Sequence, residues 1–270
     1  QKKILKRMRE YGIEPVLPGY CGMVPHNAKE KLGLNVSDPG TWCGYRRPAF
    51  LQPSDPRFEE ISSLYYKELE KLYGKANFYS MDPFHEGGNT AGVDLDAAGK
   101  AVMKAMKKAN PKAVWVAQAW QANPRPKMIE NLKAGDLLIL DLTSECRPQW
   151  GDSTSEWYRK NGYGQHDWIY CMLLNYGGNV GLHGKMDNVI DNFYLAKADP
   201  HASATLKGVG MTPEGIENNP VMYELVMELP WRPDRFTKEE WLKEYVKARY
   251  GVDDPVVQAA WTNLANSIYN

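Results

Sequence analysis

Three glutamates stand where a side chain would project from the end of an element instead of lying along it: Glu86 in DPFHEG, Glu145 in DLTSEC and Glu214 in MTPEG. Two carboxylates facing one another across a cleft can break a glycosidic bond, one protonating the leaving oxygen and the other acting at the anomeric carbon as nucleophile or base. Glu86 and Glu214 are the candidates for that pair. Around them the sequence places Tyr20, Cys21, His85, Trp120, Asn175 and Tyr176. Aromatic faces among carboxylates suit a sugar ring, whose axial C–H surface stacks while its hydroxyls seek acceptors. A single loop glutamate is ordinarily a cap for the next helix. Three of them at equivalent positions, interleaved with Trp and Tyr, favour the sugar-binding reading.

The elements that must position these residues follow from periodicity. QKKILKRMREYG reads as an amphipathic helix with Ile4, Leu5, Met8 and Tyr11 on one face, closed by Gly12. IEPVLPGY is a short strand entering a loop. Ser54, Asp55 and Pro56 start a helix with Phe58, Ile61, Tyr65, Leu69 and Leu72 at helical spacing. Strand NFYSMD (77–82) comes next, then a helix over 94–108 and strand AVWVAQAW (113–120). A short helix over 126–133 precedes strand LLILDL (137–142). Strands WIYCMLLN (168–175) and TLKGVGM (205–211) are separated by a helix over 185–198.

Apolar runs alternating with amphipathic helices predict a parallel sheet covered by helices, hence an α/β class. No G-x-G-x-x-G or P-loop follows any strand, which favours a (β/α)8 TIM-type barrel over a nucleotide-binding sheet. Six strands leave two, at the N-terminal side, to be supplied from outside this chain. In such a barrel the chemistry sits at the C-terminal strand ends, and the residues named above all fall there, with Asp82, Gln118, Asp141 and Asn179 beside them. After Trp231 the pattern is helical only: Thr237 and Glu240 predict a capping box, and DPVVQAAW starts another helix. The expected division is a barrel over 1–230 and the beginning of an all-helical domain over 231–270.

Charge and composition narrow the chemistry. Lys+Arg and Asp+Glu both number 33 in the 270 residues, so there is no electrostatic footprint for nucleic acid. No apolar run approaches the roughly 20 residues a membrane span needs. The four cysteines form no C-x-x-C pair and read as small buried hydrophobes or pocket linings. His183 has no partner at i+4, so no metal site is expected. No lysine ends a strand, which argues against Schiff-base chemistry. A non-catalytic carbohydrate-binding barrel would not need both Glu86 and Glu214, and a glycosidase for a different sugar is the other alternative.

At this point the motifs become familiar. MREYGIEPVLPGYCGMVP, DPFHEG, LLILDLTSE, IYCMLLNYGGNVGL and GVGMTPEGI, in this order, resemble the α-N-acetylglucosaminidases of glycoside hydrolase family 89. The resemblance implies a (β/α)8 catalytic domain followed by a helical domain. It also implies a retaining mechanism without cofactor or metal, and removal of terminal α-linked N-acetylglucosamine from glycans. By the same resemblance Glu86 is the acid/base and Glu214 the nucleophile. Glu145 accepts from sugar hydroxyls, and Tyr20, His85, Trp120 and Asn175 line the pocket. His85 stands where animal relatives carry Asn, and Leu174 where they carry His. The partners implied are a glycan with terminal α-GlcNAc and the remainder of the barrel and helical domain. The expected location is outside the bacterial cytoplasm, or the lysosome in an animal.

Overall fold

The computed structural model describes residues 1–174, 181–215 and 219–270. Six strands form one sheet in chain order: β1 (Val16–Pro18), β2 (Phe78–Ser80), β3 (Val114–Ala119), β4 (Leu137–Asp141), β5 (Asp167–Met172) and β6 (Leu206–Met211). Parallel pairing runs Val16 to Phe78 from β1 to β2, Phe78 to Val114 from β2 to β3, and Ile169 to Gly208 from β5 to β6. Helices lie after β1, β2, β3 (Pro126–Ile129) and β5, while the 142–166 connection from β4 to β5 holds none, and this is a partial (β/α) barrel.

The chain divides into two compact units, Gln1–Ile139 with Gln165–Asp167, and Leu140–Gly164 with Trp168–Asn270. In the first, β3 is buried at Trp115, Val116, Ala117 and Ala119 on both faces, as a covered parallel strand requires. The Trp115 indole N–H donates to the Met81 carbonyl at 2.8 Å, so a large apolar side chain is buried with its one polar atom satisfied. Helix α1 (Lys2–Glu10) precedes β1, α2 (Phe58–Tyr73) lies between β1 and β2, and α3 (Leu95–Ala109) between β2 and β3. In α3, Asp94 caps the first turn by accepting from Ala97 N–H, and Val102, Met103 and Met106 are buried. Each such side chain contributes about 1.5–3 kcal/mol on leaving water. Gly99 lets α3 approach the chain at Met128: a Cβ there would lie 1.9 Å from the Met128 carbonyl oxygen.

In the second unit Trp168, Tyr170 and Met172 of β5 are buried. The Trp168 indole donates to Ala202 O at 2.8 Å, and the Tyr170 hydroxyl to Val189 O at 3.1 Å. Helix α4 (Met186–Ala198) follows β5, and α5 (Pro220–Glu228), α6 (Lys238–Tyr250) and α7 (Pro255–Ala265) follow β6. The capping box at the start of α6 forms as the sequence requires. Thr237 Oγ1 accepts from Glu240 N–H at 3.2 Å, and Glu240 accepts from Thr237 N–H at 2.8 Å. Among the described residues no helix is long and apolar enough to cross a membrane.

Helix α1 forms where the sequence places it, with Leu5 and Met8 half-buried and Ile4 and Tyr11 exposed. Helix α2 turns a different stripe inward, burying Phe58, Ser62, Tyr66 and Leu69, with Ile61 and Tyr65 half-buried and Leu72 exposed. The helical period suits either stripe, and Tyr66 gains the tertiary partners: its hydroxyl accepts from Tyr20 N–H at 3.1 Å and its ring meets Tyr79 edge-on at 5.2 Å. Residues 23–51, to which the sequence reading assigns no element, carry structure of their own. They form a three-stranded antiparallel sheet (Met23–Val24, Val36–Ser37 and Ala49–Leu51), a short helix Ala28–Leu32, and a hairpin pairing Thr41–Trp42 with Tyr45–Arg46.

Candidate active site

At the end of β2 the backbone turns sharply through DPFHEGG. Phe84 and Glu86 take left-handed φ values of 60° and 51°, conformations that cost a non-glycine residue on the order of 1–3 kcal/mol. Gly88 is required by the same turn, because a Cβ there would lie 2.7 Å from Phe84 Cα. The turn aims the Glu86 side chain at two indoles. Trp120, just past β3, donates its N–H to Glu86 Oε1 at 3.1 Å, and Trp42, in the hairpin, donates to Oε2. Arg47 completes the hold through the backbone, donating to the Glu86 carbonyl at 2.7 Å.

Asp82 organises the turn that carries Trp120. Its Oδ1 accepts from Gln118 N–H and from the Asn123 amide, both at 2.8 Å, and the same amide donates to Gln118 O at 2.6 Å. Burial pushes the Asp82 carboxyl above its ordinary range, opposed by those two donors and by His85. His85 is half-buried, and its Nε2 finds no hydrogen-bond partner among the described residues. Tyr20 and Cys21, just past β1, are both buried. The Tyr20 ring packs at 5.7 Å from Phe58 and 5.5 Å from Tyr65, and its hydroxyl has no partner among the described residues. Burial pushes the Cys21 thiol up to about 11, with the Asp82 charge adding to it.

The second unit holds the other two glutamates. Past β6, parallel bonding continues from Thr212 N–H to Met172 O at 3.0 Å and from Glu214 N–H to Leu174 O at 3.3 Å. Glu214 is thereby placed beside the end of β5, and its side chain is exposed. A groove of about 520 Å³ lined by Met211, Pro213, Pro220, Tyr223 and Glu224 opens next to it. Glu145 is only 6% exposed. Its Oε1 accepts from Leu173 N–H at 3.3 Å, and Oε2 has no hydrogen-bond partner among the described residues. Desolvation pushes the Glu145 carboxyl up to about 8, the Leu173 N–H pulls it back, and the Asp141 charge adds to the rise. Asp141 is fully buried and pushed up to about 7 by desolvation, against the opposing pull of Tyr163, Gln149 N–H and Arg159. Asn175, Tyr176 and Asn179 lie outside the described residues.

The family model for the α-N-acetylglucosaminidase (NAGLU) TIM-barrel domain matches residues 1–233. The chain belongs to this family. It is similar to human α-N-acetylglucosaminidase, 35% identical over 287 residues that cover 100% of this chain and 37% of that protein. Among solved structures it is similar to a family 89 glycoside hydrolase from Clostridium perfringens in complex with PUGNAc. That match has a TM-score of 0.86 and 33% identity, covering 99% of this chain and 30% of that one. A variant from the same organism carrying two Glu→Gln substitutions, in complex with its substrate GlcNAc-α-1,4-galactose, matches with a TM-score of 0.84 and 33% identity, again covering 99% and 30%. The chain therefore spans little more than a third of the human relative and less than a third of the bacterial one.

Within this family member, the structure gathers Glu86, His85, Trp120, Tyr20 and Cys21 in the first unit and Glu145 and Glu214 in the second. Two residues that hold Glu86 were not among those singled out from the sequence: Trp42 and Arg47. A signal for their hairpin was present in Cys43-Gly44, a two-residue turn whose φ values of 48° and 82° are those a tight hairpin demands. Cys43 is accordingly an exposed turn residue and Cys146 is also exposed, while Cys21 and Cys171 are buried.

Proposed function

We propose that the protein carrying this chain is a retaining exo-glycosidase that removes terminal α-linked N-acetylglucosamine from glycans. The observation that carries the reading is Glu86: a carboxylate at a strand end, in a strained turn, held on both oxygens by indole N–H groups. Backbone strain of that kind persists where a side chain must be aimed. The names of the relatives supply the sugar, and one solved relative with two substituted glutamates holds GlcNAc-α-1,4-galactose, which fits a mechanism run by two carboxylates.

In the proposed sequence Glu214 attacks the anomeric carbon while Glu86 gives its proton to the departing glycosidic oxygen, leaving a covalent glycosyl-enzyme. Glu86, now ionised, takes a proton from water as that water attacks the same carbon, and Glu214 leaves with net retention. The residues this reading assigns to sugar binding are Tyr20, Cys21, His85, Trp120, Asn175 and Tyr176, with Glu145 as a hydroxyl partner. Residues 231–270 begin a helical domain, and the rest of the barrel and that domain complete the pocket. Its place of action is outside the bacterial cytoplasm or, in an animal, the lysosome.

The test is release of chromophore by the full-length protein from an aryl α-N-acetylglucosaminide, with the β-anomer and the α-glucoside as controls. Activity on the α-N-acetyl substrate alone is expected; none on any of the three would favour a non-catalytic sugar-binding barrel. Glu214→Ala should be inactive until azide is added and then release the inverted β-azide. Glu86→Ala should retain turnover of a dinitrophenyl glycoside and give the retained α-azide. The opposite pattern exchanges the two roles.

A further inference from the structure

We propose that Trp42 is a positioning residue for the acid/base: the Thr41–Arg46 hairpin exists to bring an indole N–H to Glu86 Oε2, making with Trp120 a two-indole clamp on that carboxyl group. The inference rests on the reading of Glu86 as the proton donor. It goes beyond that reading by assigning a residue 44 positions away in the chain to the proton-transfer step.

Trp42 is 50% exposed and Tyr45, directly opposite it in the hairpin, is also exposed. Burial of apolar surface therefore does not explain a tryptophan here. What its ring does reach is Glu86, whose backbone carbonyl is held by Arg47 from the same excursion. The excursion is itself fixed to the β2 turn at a third point, Asn89 N–H donating to Pro39 O at 2.9 Å. Two contacts on Glu86 and one on Asn89 thus register this loop on the turn that carries the glutamate. Trp120 alone would leave the carboxyl free to rotate about its last torsion, which is broad for glutamate. A second donor on the other oxygen removes that freedom. Fixed orientation matters for a proton donor, because transfer requires the carboxyl within hydrogen-bond reach of the departing oxygen.

The experiment compares kcat/KM of wild type, Trp42→Phe and Glu86→Ala, in the full-length protein, on phenyl and dinitrophenyl α-N-acetylglucosaminides. The dinitrophenolate leaves without a proton, whereas the phenolate needs one. Trp42→Phe is expected to lose about 10- to 100-fold on the phenyl substrate and less than about threefold on the dinitrophenyl one, a smaller version of the split in Glu86→Ala. Equal losses on both substrates in Trp42→Phe, with the split intact in Glu86→Ala, would show that Trp42 merely supports the fold and would overturn the inference alone. No split in Glu86→Ala would remove the reading of Glu86 as acid and the inference with it. Should Trp42→Phe fold poorly, benzothienylalanine at position 42 keeps the ring shape and removes only the N–H, and the same split is expected.

Discussion

Glu145→Gln tests the protonation of the buried carboxyl in the second unit. Desolvation raises that carboxyl from 4.5 to about 8, so between those values the folded chain holds a proton that the unfolded chain has released. Protons bound on folding make stability fall as pH rises. The contribution is fully present below 4.5, declines through the window at about 1.4 kcal/mol per pH unit, and is lost above the folded value. At pH 7 the accumulated cost is about 3 kcal/mol, and between pH 5 and 8 it grows by about 3 to 4 kcal/mol. Glutamine is neutral throughout and can still accept from Leu173 N–H, so Glu145→Gln should escape this cost while Asp141 titrates in both proteins. Thermal unfolding of wild type and variant at matched ionic strength, from pH 5 to 8, should show the variant gaining on wild type by roughly 6–12 °C across the range. Parallel curves would mean that Glu145 is already ionised in the folded protein and that burial does not govern its proton, contrary to the reasoning.

The other expectations concern packing and a helix terminus. Gly99→Ala forces a Cβ against the Met128 carbonyl, which backbone on both sides cannot easily yield, and should cost about 1–3 kcal/mol, read as a lower midpoint in urea with unchanged slope. Thr237→Ala removes the side-chain half of the α6 capping box and should cost about 1 kcal/mol while leaving kcat/KM unchanged. Hydrogen exchange of the first turn of α6 would report that loss locally.

Much of the architecture was legible in the chain because it depends on local properties. Short apolar runs alternating with amphipathic helices declare a covered parallel sheet wherever they occur, and a box such as Thr237 to Glu240 closes within one helical turn. Once the strands are ordered, Glu86, Glu145 and Glu214 fall at their ends without any knowledge of packing. Tertiary structure alone decided the matters in which distant residues compete. Helix α2 has two stripes that satisfy the same period, and only the fold decides that Tyr66 is buried, against Tyr20 N–H and the Tyr79 ring, while Leu72 is exposed. The Thr41–Arg46 hairpin is short and exposed, with no apolar alternation to announce it, and its tryptophan matters only through a glutamate that folding brings alongside. The proton affinities of Asp141 and Glu145 are likewise invisible in DLTSE, since the cost of a charge is set by how much water the surrounding fold excludes.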